Sequence, residues 1–186
     1  MDTKLHVSMR TLLPELPEIM CSPVIGLDIE TTGLDPRLDR MVSVQIAVND
    51  LVHVIDVRGE NFQPLFNHLS VFPGVIVLQN AKFDLTFIHH NYNSLLYCNL
   101  WDTMLTERII SGGRKISSSL AEIANRRLGL KLNKDIRTEF TLPMFQHLPF
   151  SEEQFEYTAV DAWVLPRIRE LQIKDLEESG QMKIAE

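Results

Sequence analysis

Three short spacings in this chain of 186 residues place carboxylates where they could act together. Val24 to Leu34 is an apolar, β-branched run that holds Asp28 and Glu30 two positions apart and then breaks at Gly33, which reads as a buried strand ending in a turn. Strand side chains alternate and the rise is about 3.3 Å per residue, so the two carboxylates share a face roughly 6 to 7 Å apart. Like charges in a mostly buried strand repel and lose hydration unless a cation neutralises them, and an oxygen-only donor set selects a hard divalent ion, Mg²⁺ or Mn²⁺. Asn80 and Asp84 open a helix behind the strand Val75 to Leu78, which sets Asp84 one turn in, at the sheet edge where open α/β proteins place their sites. Helix-dipole chemistry accounts for an acid in a first turn equally well. Tyr157 and Asp161 stand at i, i+4 on the last long helix, with phenol and carboxylate on one face about 6 Å apart. Asp161 is flanked by Ala159, Val160, Ala162, Trp163 and Val164, a setting in which an aspartate needs a partner.

The elements that carry these residues follow from periodicity. Residues 1 to 22 contain Pro14 and Pro17 with few periodic apolar positions and read as an irregular lead-in to a domain over 23–179, with a short tail over 180–186. Met41 to Val48 and Leu51 to Val57 are strand-like runs meeting at Asn49-Asp50, which predicts a hairpin. Phe62 to Val71 has helical spacing, Val75 to Leu78 is a short buried strand, Asn80 to His90 a helix, Leu95 to Leu100 the fifth strand and Thr103 to Ile110 a helix. Ser117-Ser118-Ser119 caps a helix ended by Gly129, and Ser151 starts the last helix, which runs to about Ser179 with a bend at Pro166. A hairpin followed by crossovers implies a mixed sheet with helices against it, an α/β sandwich.

With 45% hydrophobic residues the chain can bury a full core, and its length fits one domain. Cys21 and Cys98 lack CxxC spacing, so zinc is not indicated, and free thiols in a reducing cytoplasm are the expectation. No apolar run approaches the length of about 18 residues that spans a bilayer, so no membrane partner is expected. The net charge of −7 argues against a polyanionic partner, but the sum conceals a separation. Between Arg108 and Arg137 eight basic residues stand against Glu122 and Asp135, a local +6 that leaves −13 elsewhere. That suits one surface for phosphates and another for metals, although solvated helix faces would give the same pattern. Arg114, Lys115, Arg126 and Arg127 are the candidates for backbone phosphates.

Taken together, Asp28-x-Glu30, Asn80-x-x-x-Asp84 and Tyr157-x-x-x-Asp161 resemble the DEDDy branch of 3′-5′ exonucleases, which includes the proofreading domain of family A DNA polymerases and ribonuclease D. All three motifs occur in order, and Trp101-Asp102-Thr103, Leu120-Ala121 and Ser151-Glu152-Glu153-Gln154 add to the resemblance, which covers about residues 22 to 178. It implies a ribonuclease H-like fold with strand order 3-2-1-4-5 and strand 2 antiparallel. It implies two divalent ions, Mg²⁺ or Mn²⁺, held by Asp28, Glu30, Asp84 and Asp161, with Asp28 bridging and Asp84 acting through ordered waters. Tyr157 would orient the attacking water. Thr31 and Leu34 would contact the terminal nucleotide, with Leu34 wedged against the last base, and Asn80 would hydrogen-bond the substrate or, as simply, cap its helix.

The first reading is therefore a metal-dependent 3′-5′ exonuclease that releases 5′-mononucleotides from single-stranded or frayed DNA, either alone or beside a DNA polymerase or replication complex. A ribonuclease D-like trimmer of RNA ends is the alternative. The chain lacks the helical domains that RNA processors usually append, which favours DNA. A non-catalytic nucleic-acid-binding module of the same fold is the third reading, disfavoured by intact residues at all five motif positions.

Overall fold

In a computed structural model, residues 1–132 and 149–185 are described. Eight residues of MVSVQIAV are buried without alternation, as expected of a strand covered on both faces, and this strand, β3 (Met41–Val48), lies in the interior of the sheet. It turns through Asn49, in the left-handed conformation, into β4 (Leu51–Asp56), and on its other side pairs antiparallel with β2 (Val24–Thr31). β5 (Val75–Leu78) lies parallel to β2, and β6 (Asn99–Asp102) parallel to β5. These five strands have the expected order, with β3 alone reversed.

Two expectations fail at the edges. The first 22 residues are not irregular: β1 (Asp2–His6) adds a sixth strand parallel to β4, and α1 (Met9–Leu12) and α2 (Leu16–Cys21) follow it. β1 is mostly exposed and carries no alternation, so its pairing comes from the open edge of β4 and not from its own pattern. Leu12, Leu16 and Ile19 do recur at helical spacing and are buried, and Pro17 sits in the first turn of α2, where a missing N–H is harmless. The last strand is β6 at Asn99–Asp102, which overlaps only the end of the run Leu95 to Leu100 that suggested it.

Helices cover both faces. α3 (Gln63–Ser70) and α4 (Ala81–Tyr92) join α1 and α2 over one face, whose side chains merge into one apolar cluster with Leu27 and Ile29 of β2 at its centre. α5 (Thr103–Ser111), α6 (Leu120–Leu128) and the 27-residue α7 (Glu152–Glu178) contribute to smaller clusters on the other face. A short α8 (Met182–Ala185) ends the described chain. α7 begins with a capping box in which Gln154 N donates to Ser151 Oγ (3.2 Å) and Ser151 N to Gln154 Oε1 (2.9 Å). Ser119 occupies the N-cap of α6 without a side-chain hydrogen bond to the helix, contrary to the capping expected of it. Among the described residues no helix is long and apolar enough to cross a membrane.

Candidate active site

Because Leu27 and Ile29 point into the large core, Asp28 and Glu30 point to the opposite face, under α7. What brings α7 close is Gly26, one step earlier on that same face. A Cβ there would lie 2.3 Å from the Ala162 carbonyl oxygen and 2.9 Å from Pro166 Cδ. Pro166 is the residue that would otherwise give its N–H to Ala162, four positions back, and proline has none. The helix therefore lays a carbonyl with no N–H from Pro166 onto a glycine backbone, and Asp161, next to Ala162, descends with it. Carboxylate oxygens of Asp28, Glu30 and Asp161 come to lie within 4.8 Å of one another. Glu30 is 6% exposed, while Asp28 and Asp161 are half-buried.

A register shift between Glu30 and Thr31 shapes the end of the site. Glu30 pairs with Ser43 and Thr31 with Met41, so Val42 is the extra residue on β3. Val42 turns to the α7 side, where Phe150 and Tyr157 pack on it. Bulges beside active sites re-aim side chains in this way.

Asp84 arrives from α4, whose first turn is set by Asp102 at the end of β6. One Asp102 oxygen accepts from Asn80 N (3.1 Å), Met104 N (2.9 Å) and Leu105 N (3.2 Å), and the other accepts from Ala81 N (2.9 Å). A single carboxylate thus caps α4 and α5 together. Asn80 does not cap α4 with its side chain; its backbone is left-handed (φ 58°), and its side chain borders the cleft. Asp84 is 3% exposed.

The cleft has a volume of about 490 Å³ and is lined by Asp28, Glu30, Asp84, Tyr157 and Asp161, with Leu34, Asn80 and Arg108 at its border. Leu34 is 77% exposed at the tip of a turn. Thr31 is not among the lining residues: its hydroxyl donates to the Gly33 carbonyl (2.6 Å) and fixes the turn that presents Leu34.

The two arginines expected on phosphates lie elsewhere. Arg127 is committed to two ion pairs, Nε with Glu107 (2.7 Å) and Nη1 with Asp175 (2.7 Å), and Arg126 Nη2 reaches Glu107 (3.2 Å) and the Ser117 carbonyl (2.7 Å). Gln172, fully buried, closes this network by donating to Glu107 (3.1 Å) and the Thr103 carbonyl (2.8 Å) and accepting from Trp101 Nε1 (3.0 Å). Burial would raise the Glu107 pKa, but the guanidinium of Arg127 and the Gln172 amide outweigh it and hold the carboxyl below its usual range. The physical reason for the correction is this acid, which the basic count along the sequence did not locate. Lys134, Asp135 and Arg137 lie outside the described residues. Arg108 borders the cleft instead, with Nε on Ser118 Oγ (3.3 Å).

The donor set fits hard divalent ions. It is all oxygen, and an octahedral ion with bonds of about 2.1 Å spaces its ligands about 3 to 4.2 Å apart, so small side-chain adjustments close the cluster. Gly26, Asp102 and Arg108 were not singled out as site residues in the sequence. Asp102, within Trp101-Asp102-Thr103, and Arg108, at the start of the basic segment, carried a signal there; Gly26 carried none.

A 3′-5′ exonuclease family model, of the family A DNA polymerase type, matches residues 10–176. No curated protein matches the sequence. Among solved structures, Brucella melitensis NrnC with bound Mg²⁺ superposes with a TM-score of 0.82 at 22% identity, over 100% of this chain and 87% of that one. NrnC bound to pGG gives 0.83 at 23%, over 100% of this chain and 86% of that one. Escherichia coli RNase D, described as an exoribonuclease involved in structured RNA processing, gives 0.84 at 24%, over 100% of this chain but 48% of its own. At these identities the likeness is one of fold.

Proposed function

The chain belongs to the 3′-5′ exonuclease family, an assignment that carries phosphodiester hydrolysis with two divalent metal ions, and on that premise we propose that it shortens single-stranded or frayed 3′ ends and releases 5′-mononucleotides. The observation that carries this reading is the convergence of Asp28, Glu30 and Asp161, with oxygens within 4.8 Å, at a cleft that also holds Tyr157 and Asp84 and ends at the exposed Leu34.

When bound, the two ions supply an activated water and neutralise charge on the leaving oxygen. Asp28, Glu30 and Asp161 would hold the ions, with Asp28 serving both, and Asp84 would contribute from the same cleft. Tyr157, packed against Val42, stands at the cleft, where its phenol would orient the attacking water by hydrogen bonding. Leu34 meets the last base, Thr31 supports it from within the turn, and Asn80 offers its amide to the strand. Arg108 takes the phosphate role first given to Arg126 and Arg127, joined by the exposed Lys82 on the same rim.

DNA, with a polymerase as companion, is the reading that the resemblance to proofreading domains supports. RNA is the second reading, and a specific observation favours it: RNase D is described as an exoribonuclease. NrnC, most of whose chain is matched here, is described as bound to pGG, which supports a nucleic-acid substrate under either reading. One experiment tests both. DNA and RNA oligonucleotides of one sequence, 5′-labelled and incubated with Mg²⁺, should shorten in a ladder from the 3′ end, and the faster of the two names the sugar. Cleavage of a closed circular single strand would show that the site does not need an end, and the proposal would fall.

A further inference from the structure

Beside the carboxylates lie two polar side chains that the reaction has so far not used. Ser43 and Gln45 of β3 are both 0% exposed. The register sets Gln45 opposite Asp28 and Ser43 opposite Glu30, so the pair shares the acids' face of the sheet. Ala47, the next residue on that face, packs on Ala159 and Ala162 of α7, so the pair lies under the same helix that delivers Asp161. Gln45 Nε2 donates to Ser43 Oγ at 2.6 Å. A hydroxyl that accepts in this way keeps its own proton to donate. Gln45 Oε1, by contrast, has no partner among the described residues. A buried amide with one end unsatisfied lowers stability, and an apolar side chain of similar shape would avoid the penalty. Stability therefore does not account for glutamine here, and what faces the pair across the strand is Asp28 and Glu30.

We propose that Ser43 and Gln45 are positioning residues for the metal-binding carboxylates. Gln45 Nε2 fixes Ser43 Oγ, and the hydroxyl proton that Ser43 retains is available to the Glu30 carboxylate opposite it in the register, so that Glu30 would be oriented when an ion is held. The bulge at Val42 contributes, because it shifts the register at the point where Ser43 meets Glu30. The proposal rests on the metal-site reading above. It differs from a ligand role in that neither residue touches the ion or the strand.

The test is calorimetric titration of Mn²⁺ into substrate-free protein, with thermal melts in chelator and steady-state kinetics on one oligonucleotide. Outer partners of metal ligands are worth about 10- to 100-fold in affinity, so Ser43→Ala and Gln45→Leu should each weaken Mn²⁺ binding by about 10-fold or more. At limiting Mn²⁺ kcat should fall with it, while KM for the oligonucleotide stays within about twofold. Ser43→Thr, which keeps the hydroxyl, should restore affinity. Gln45→Leu should melt in chelator at or above the parental temperature although it binds metal more weakly, a combination that general damage does not produce. If Ser43→Ala fails to fold, Gln45→Leu decides alone. Mn²⁺ affinity within about twofold of the parent in folded variants overturns the proposal and leaves the exonuclease reading standing. A parent that binds no Mn²⁺ at all overturns both.

Discussion

On the face of the sheet covered by α1 to α4, side chains from four strands enter one apolar cluster that runs from Leu12 to Ile88. On the face covered by α5 to α7, the apolar contacts fall into four smaller groups, and between them stand Gly26, Asp28, Glu30, Ser43, Gln45 and Gln172. Both faces belong to the same strands, so the difference lies in alternation alone: Leu27 and Ile29 go one way, Asp28 and Glu30 the other. The first face holds the layers together by burial. The second gives up apolar area to place charged and polar groups at set distances, and it relies on the first to keep β2 and β3 in register.

The comparison predicts that the two faces fail differently. The largest effect is expected at Asp28→Ala, which should reduce cleavage to below about one per cent while the metal-free melting temperature stays level or rises, since one of three neighbouring carboxylates is gone. Residual activity above that level would mean that Asp28 is not the shared ligand. Phe66→Ala probes the other face: Phe66 is fully buried and stacked on Tyr92 at 4.1 Å between ring centroids, and its loss should cost about 3 to 5 kcal/mol in denaturant unfolding. The folded fraction should bind Mn²⁺ as the parent does. Tyr157→Phe should lower kcat by about 10² with Mn²⁺ affinity nearly unchanged; an equal loss of affinity would place the phenol in the coordination network.

Gly26→Ala should have a smaller effect on stability, about 1 to 3 kcal/mol, yet it should weaken Mn²⁺ binding, which Phe66→Ala does not. The new methyl would meet backbone, the Ala162 carbonyl, so α7 must move and Asp161 with it. If Gly26→Ala keeps full metal affinity, the close approach of helix and strand serves packing only, and the contrast between the faces is blunted.

How much of this was legible depends on where the signal lies along the chain. Asp28-x-Glu30, Asn80-x-x-x-Asp84 and Tyr157-x-x-x-Asp161 are local spacings, and local spacings survive in sequence. The hairpin through Asn49-Asp50 and the capping box of Ser151 and Gln154 are local too, and both are present in the fold. What the sequence hid is long-range. Gly26 matters because of a helix more than 130 positions away, and a lone glycine in a strand does not say what approaches it. Arg127 looked available because Glu107 and Asp175, its partners, are 20 and 48 residues distant. β1 was missed because an exposed edge strand needs no apolar alternation.

The smallest effect tests a buried polar pair on the apolar side. His6 and His53 are buried and meet Nε2 to Nδ1 at 3.1 Å, with Lys4 and Glu15 as the charged groups nearby. Burial lowers both pKa values, and for His53 the neighbouring ring lowers it further, to about 4 from an ordinary 6.5. Between those values the unfolded chain takes up protons that the folded protein refuses, so stability is complete above about pH 6.5 and declines as the pH falls towards 4. Glu107, held below its usual range, loses its contribution in the same direction but at lower pH. Melting temperatures measured from about pH 7.5 down to about 5.5 therefore isolate the histidines. The parent should lose stability over that window, and a His6→Gln, His53→Gln double variant should show a flatter profile whatever its absolute stability. Parallel profiles would mean that the pair can be protonated without loosening the β1 edge, and acid would then not distinguish the two faces of the sheet.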